Sequence, residues 1–328
     1  MASGVLPASI KPLTQRVKVT ITVSQTPSYL PLFVAQEKGY FSQAGLDVDL
    51  KPFQQSAATQ MPLLARGDID LTPVVPVPAL YNQAVQGFNI KMIHAFEVPM
   101  KGRETGGWLS VIKDEAGAIK QLSDMKGKTV NGLVEGTPAA FLLLEALRQA
   151  NLTPDKDVTV KYGVKSPGDQ LALVRAHAAD VFSLSEPNAT QLEREGSVVR
   201  WKTYDEIAPW YQADAMAVSG VFQQKHPDAL EKYTEVYLAA VREINAANGK
   251  WSDELLRIAT KWTPFDAAIM TSMGGVPYFE PNGQVSLDSF KRTEDTWVQD
   301  GQVKTPVDVN QLVDNGPVQQ ALQTVGKA

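Results

Sequence analysis

The stretch from Val17 to Leu50 restricts what this chain can fold into more than any other, because it spells strand, polar loop, helix, stop and strand in succession. Val17-Lys18-Val19-Thr20-Ile21-Thr22-Val23 reads as a strand. Leu30, Phe33, Val34 and Glu37 fall at helical spacing, the first three as an apolar stripe. Pro31 suits a first helical turn, and Gly39 can take the left-handed conformation that ends a helix. Asp47-Val48-Asp49-Leu50 then alternates with period two, as a strand with one buried face does. This is one turn of an α/β fold. Its loop, Ser24 to Ser28, lies at the C-terminal end of a strand, where open α/β sheets take their ligands.

The same residues carry a family resemblance. The run PLFVAQEKGYFSQAGLDVDL resembles the N-terminal signature of the solute-binding proteins of bacterial ABC importers, in the NMT1/THI5-like branch with binders of sulfonates, nitrate, taurine and thiamine pyrimidine precursors. The likeness recurs in LARGDIDLTPVVPVPAL, in LSDMKGKTV and around VFQQKHPDALEKY. It implies a two-lobed α/β fold of the type II periplasmic-binding-protein kind. Each lobe would be a mostly parallel sheet flanked by helices, with the ligand cleft between the lobes. It also implies that loop residues of both lobes enclose one small molecule and that a membrane permease is the macromolecular partner.

Composition narrows the classes. At 328 residues the chain is long enough for two lobes. A net charge of -5 and the absence of any Lys/Arg block argue against a nucleic-acid partner. There is no cysteine, which removes disulfides, thiolate metal sites and cysteine nucleophiles together. No apolar run approaches the ~20 residues that span a bilayer. Met1-Ala2-Ser3-Gly4 lacks the order of a signal peptide, so the resemblance to exported proteins implies a mature form whose leader has been removed. A monomer is expected.

Two segments suggest an internal duplication. Leu64-Ala65-Arg66-Gly67-Asp68-Ile69-Asp70-Leu71 precedes a proline-rich helix start at Pro76 and Pro78; Leu173-Val174-Arg175-Ala176-His177-Ala178-Ala179-Asp180-Val181 precedes another at Pro187. Strands are expected at Val17–Val23, Val48–Leu50, Ile69–Thr72 and Ile90–Phe96 in one lobe. The other lobe would hold Trp108–Ile112, Thr129–Asn131, Val158–Lys161, Val181–Ser183 and Val198–Trp201. The pattern divides the chain into lobe 1 (1–99 and 214–328) and lobe 2 (100–213), with hinge crossovers near 97–107 and 203–214. From Pro227 onward helical periodicity dominates, with Leu230, Tyr233, Thr234, Tyr237, Leu238 and Val241 on one face. Pro62 conflicts with a helix from Ser56 to Arg66, so that helix is expected to start nearer Gln60 or to kink.

Candidate ligand groups fall in the strand-end loops. Thr137-Pro138, Ser56 and Ser185 are expected helix caps whose neighbouring amides suit acceptor oxygens; capping without a ligand is the alternative. Glu97, Glu135, Glu186 and Asp214 would favour ligands bearing N–H or O–H donors or positive charge, unless Lys101 or Arg103 offsets them. The resemblance often sets an acidic residue before the proline at 187, which makes Glu186 the less informative of the four. Tyr29 and Trp210 are the better stacking candidates, ahead of Phe53, Phe96 and Tyr211, for which core packing competes. Ser24, Gln25 and Thr26 of the first loop, with Gln55 and Val74, complete the set; the first loop and Tyr29 would face Thr137 and Glu186. Trp251, Trp262, Trp297 and the histidines His94, His177 and His226 read as structural. HExxH, GxSxG, GxGxxG and Walker loops are absent, so no metal, cofactor or catalytic residue is called for.

These readings point to an extracytoplasmic binder of a small polar organic molecule. A ring-bearing carboxylate, amide or pyrimidine-like ligand is favoured over sulfonate or nitrate, because no arginine is singled out among the loop residues expected to touch a ligand. An enzyme like the fungal pyrimidine synthase of thiamine biosynthesis is the rival from another class, and the lack of cysteine speaks against its chemistry. A ligand-sensing module is a second rival.

Overall fold

The structure is a computed structural model that describes residues 4–52, 57–87, 89–101, 103, 107–132, 134–163 and 167–328, excepting the side chains of 57–59 and 167–168. The chain divides into two compact units. Unit 1 comprises Met1–Val98, Gln212–Ala267 and Val276–Ala328; unit 2 comprises Pro99–Tyr211 and Ala268–Gly275. The segment Ala268–Gly275 thus groups with unit 2, whereas the sequence pattern places it in the first lobe.

In chain order the strands are β1 (Val17–Val23), β2 (Leu46–Pro52), β3 (Leu71–Val74), β4 (Ile90–Ala95) and β5 (Trp108–Ile112). They continue as β6 (Thr129–Asn131), β7 (Thr159–Lys161), β8 (Val181–Leu184), β9 (Val198–Thr203) and β10 (Ala215–Ser219). Unit 1 holds a sheet of order β2-β1-β3-β10-β4, and unit 2 one of order β7-β6-β8-β5-β9. In the first, β1 runs parallel to β2 and β3, while β10 is antiparallel to β3 and β4. In the second, β6 runs parallel to β7 and β8, while β5 is antiparallel to β8 and β9. The two sheets therefore share one plan, and in each the antiparallel fourth strand is the one by which the chain enters the unit from the other.

Strand burial follows position in the sheet. The edge strand β2 alternates along its first half, with Leu46, Val48 and Leu50 inward and Asp47 exposed. The inner strands β3, β8 and β10 are buried at every position, as strands covered on both faces are. That continuous burial is why β10 escapes a search for alternation: Ala-Met-Ala-Val-Ser carries no period.

The helix Leu30–Glu37 buries Leu30 through Ala35 without a break, where the spacing predicts a stripe. It is packed against Pro227–Ala246 and Asp253–Trp262, so more than one face is covered. Gly39, at φ 71, makes the turn into the short helix Tyr40–Gln43. Helix Pro227–Ala246 buries the face expected of it, Leu230, Tyr233, Thr234, Tyr237, Leu238 and Val241 included, and also packs on Gly316–Val325. Helix Ala57–Arg66 begins before Gln60 and carries Pro62 inside it, which rules out the later start and leaves the helix that runs through the proline. Of the tryptophans read as structural, Trp297 is fully buried and donates Nε1 to Pro76 O at 2.8 Å.

Candidate functional site

In unit 1 the antiparallel insertion of β10 brings its start to the edge where the parallel strands end. Ala215 pairs with Val74 at the end of β3 and with Ala95 at the end of β4. Asp214, just before β10, is thereby set beside Glu97, just after β4, and beside Tyr29 from the loop that follows β1. The Tyr29 phenol hydrogen-bonds the Asp214 carboxyl. Ser28 donates Oγ to Glu97 Oε1 at 3.1 Å. Asp214 is 3% exposed and Glu97 7%, and Asp214 Oδ1 has no hydrogen-bond partner among the described residues.

The electrostatics follow from burial. Loss of solvent pushes the Asp214 carboxyl well above its usual range; the Glu97 charge pushes it further, and the Tyr29 hydrogen bond offsets only part. Tyr29 is raised well above the ordinary phenol range by burial first, then by the two carboxylates. Beneath this edge lies an aromatic floor. Phe96 is edge-on to Tyr29 at 4.9 Å and to Tyr237 at 5.6 Å, and His94 stacks on Tyr237 at 3.7 Å. His94 is fully buried: Nδ1 lies 3.1 Å from Ala95 O, and Nε2 2.9 Å from the Tyr233 hydroxyl. Those partners suit a neutral ring protonated at Nδ1 and accepting at Nε2. Burial holds its pKa down at about 3.

The rest of the first loop is more open. Ser24 Oγ lies 3.4 Å from Thr26 Oγ1, and exposed Gln25 donates Nε2 to Trp262 O at 3.3 Å. Gln25 borders a hollow of about 270 Å³ lined by Val23, Phe33, Leu50, Pro52, Lys261 and Trp262. Phe33 stacks on Trp262 at 5.2 Å. Lys261 and Trp262 Nε1 both bond Glu37 Oε1, at 2.6 and 3.0 Å. Burial works against the Glu37 charge, but these bonds outweigh it and hold the carboxyl below its usual range.

In unit 2 the equivalent edge is built from the ends of β6 and β8. Thr137 caps helix Pro138–Gln149 as expected, accepting from Ala140 N at 3.3 Å and donating to Val134 O at 2.7 Å, with Pro138 in the first turn. Ser185, expected to cap the helix after β8, does not. That helix, Asn188–Arg194, has no side-chain cap on its flanking residue Pro187, and Glu186 Oε2 accepts Thr190 N at 3.1 Å instead. Glu186 Oε1 accepts Arg200 Nη1 at 3.2 Å. Arg200 also bonds Glu193 at 2.6 Å and lies over the Trp108 ring, 4.8 Å from its centroid. Burial raises the Glu186 carboxyl although Thr190 and Arg200 pull the other way.

Placement sorts the expected residues. Ser24, Thr26, Tyr29, Glu97 and Asp214 gather at one edge of unit 1, with Gln25 beside the hollow. Val74 and Phe96 share that edge, but their side chains are packed inside, because the strand ends there are covered on both faces. Gln55 and Ser56, with Phe53, lie outside the described residues. Glu186 has both oxygens occupied within unit 2, so it serves the fold rather than standing open to a ligand. Glu135 and Ser185 are exposed. Trp210 is half-buried and edge-on to Phe141 at 6.0 Å, whereas Tyr211 is packed between Phe141 and Tyr204 at 4.8 and 5.0 Å. Sequence reasoning passed over Ser28, Trp108 and Arg200. Ser28 belongs to the loop already singled out; Trp108 and Arg200 sit in strands, where no local signal separates them from scaffold.

Comparison with known proteins places this geometry in a lineage. Residues 26–247 match the family described as NMT1/THI5 like. The chain is similar to the putative binding protein YtlA of Bacillus subtilis (strain 168), 24% identical over 238 residues, or 72% of this chain and 68% of that protein. The periplasmic aliphatic sulphonate binding protein SsuA from Escherichia coli shares the fold with a TM-score of 0.74 at 18% identity, covering 90% of this chain and 91% of SsuA. The periplasmic nitrate-binding protein NrtA from Synechocystis PCC 6803 does so with a TM-score of 0.75 at 16% identity, covering 95% and 89%. The fold is that of the periplasmic binding proteins.

Proposed function

We propose that this chain, which belongs to the NMT1/THI5-like family, is the extracytoplasmic solute-binding component of an ABC importer. Its ligand is a small polar organic molecule, and its macromolecular partners are the permease subunits of the membrane. It acts as a monomer that binds rather than transforms its ligand. One observation carries the reading: Asp214, Glu97 and Tyr29 converge at the C-terminal ends of the parallel strands of unit 1, the edge where open α/β sheets hold ligands. There Asp214 keeps a buried oxygen without a partner among the described residues. Buried polar atoms are nearly always satisfied, and one left over at such an edge fits a ligand donor. The relatives named as binding proteins support the role, and amides or amino-pyrimidine-like rings supply the donors that this edge requires. A ring-bearing carboxylate is less favoured than the loop composition alone suggests, because it would meet two acids.

A thermal-shift screen against amides, aminopyrimidines, aromatic acids, taurine, methanesulfonate and nitrate tests the role. A bound ligand at a hundred times its dissociation constant adds about 2.7 kcal/mol to stability. The expected result is stabilisation by at least one compound with that compound recovered unchanged. Chemical conversion of a stabilising compound would overturn the assignment as a binder.

A further inference from the structure

We propose that unit 1 carries a second small-molecule site, the hollow between the β1–β2 side of its sheet and helices Leu30–Glu37 and Asp253–Trp262, and that this site takes a single-ring aromatic carboxylate. The inference goes beyond the solute-binding reading and does not depend on it. In the sheet order β2-β1-β3-β10-β4 the hollow belongs to the first two strands, whereas Asp214 and Glu97 flank β10 and β4. None of the residues lining it is Asp214, Glu97, Ser28 or Tyr29.

Its shape and lining suit one substituted ring. The volume of about 270 Å³ lies just below the ~300–1,000 Å³ of pockets for drug-sized ligands. Val23 and Leu50 supply apolar surface from the ends of β1 and β2. Phe33 and Trp262, stacked at 5.2 Å with their planes 7° apart, form an aromatic wall. Gln25 donates Nε2 to Trp262 O at 3.3 Å, so the loop that carries Ser24 and Thr26 borders the occupant.

The charge of the occupant follows from Lys261. Among the described residues no carboxylate lines the hollow, and Lys261 is the one cation that does. Lys261 Nζ lies 2.6 Å from Glu37, yet Glu37 also has Arg257 at 3.6 Å and the Trp262 indole N–H at 3.0 Å. Two cations and an indole thus share a single carboxylate. An ammonium has three donors, so Lys261, 54% exposed, can turn another to an anion at the rim without stranding Glu37. A ring-bearing carboxylate meets acids at the Asp214 edge and a lysine here.

Benzoate is the probe, set beside acetate (charge without a ring), benzamide (ring without charge) and benzamidine (ring with the opposite charge). Titration calorimetry on the intact protein should show benzoate binding at least tenfold tighter than the other three. Lys261→Met should weaken benzoate at least tenfold, the loss of one hydrogen bond to a charged group, while Lys261→Arg should keep most of the affinity. Lys261 is exposed, so neither variant threatens the fold. A crystal grown with 4-bromobenzoate locates the probe by the anomalous signal of bromine, expected against Phe33 and Trp262. Three results would each overturn the second site: benzoate no tighter than benzamide, affinity unmoved by Lys261→Met, or bromine found only beside Asp214. The last of these would leave the solute-binding reading standing.

Discussion

Asp70 and Thr20 hold each other twice: Asp70 Oδ2 accepts Thr20 N at 2.8 Å, and Asp70 N donates to Thr20 O at 3.0 Å. Unit 2 repeats the device. Asp180 Oδ2 accepts Thr129 N at 2.7 Å, and Asp180 N donates to Thr129 O at 2.8 Å. Each aspartate stands at the entry to an inner strand, β3 or β8, and fastens it to the neighbouring parallel strand, β1 or β6. The two short motifs that suggest duplication in the sequence thus perform the same physical task in both units.

Removing that clasp should cost its own unit. Asp70→Ala and Asp180→Ala leave a backbone amide without its acceptor, a loss of about 1–3 kcal/mol each. Hydrogen exchange should show faster opening confined to the sheet that carries the substitution. Equal loosening of both sheets by either variant would contradict the assignment.

Acid should weaken unit 1 through His94. Its pKa lies at about 3 against an ordinary 6.5, so between those values the unfolded chain binds a proton that the folded chain does not. Stability therefore falls as pH drops through this window, by an amount on the order of a few kcal/mol. His94→Gln, which can still accept from Tyr233, should flatten the decline below pH 6.5 in a urea titration repeated across pH. An unchanged slope would remove His94 from the account.

Asp214 acts in the opposite direction. Its folded pKa is raised, so its contribution is complete below the unfolded value of about 3.9 and is lost as pH climbs through the folded one. Asp214→Asn should make the ligand-free protein less sensitive to rising pH, measured as the melting temperature at pH 5 and pH 9. A variant whose melting temperature changes with pH as steeply as the parent would refute the placement of the charge.

In unit 2, Arg200→Met strips the charge partner from buried Glu186 and should cost about 3 kcal/mol. Glu186→Gln should cost less, since its carbonyl oxygen can still accept Thr190 N. The double variant should recover part of the loss, because no unpaired buried charge remains. Denaturant midpoints for the cycle of four proteins give the coupling directly; strict additivity would show that the pair is not one.

Thr137→Ala should lower the stability of helix Pro138–Gln149 by about 1 kcal/mol, and Thr137→Ser should hold close to the parent. Amide exchange of the first helical turn is the readout, and identical protection in both variants would argue against the cap.

Much of the fold was legible because its signals are local. The strands at 17–23, 108–112 and 129–131, the helix stop at Gly39 and the cap at Thr137 each rest on a few consecutive residues whose propensity and period agree with the final structure. Misreadings came where tertiary contacts outweigh such signals. Glu186 takes over the capping expected of Ser185, and Leu30–Glu37 is buried beyond its stripe by the helices packed on it.

The sequence by itself determined the α/β alternation, the repeated strand-entry aspartates and the polar loops at strand ends, since each is written in residues close along the chain. Only the tertiary structure decided that β10 enters the first sheet antiparallel between β3 and β4, which sets Asp214 beside Glu97 and Tyr29. It likewise closed the Glu186 carboxylate with Arg200 and left Asp214 Oδ1 without a partner among the described residues. The physical reason is that charge pairing and burial depend on neighbours brought together by strand pairing across long stretches of chain, and no period within a short segment records them.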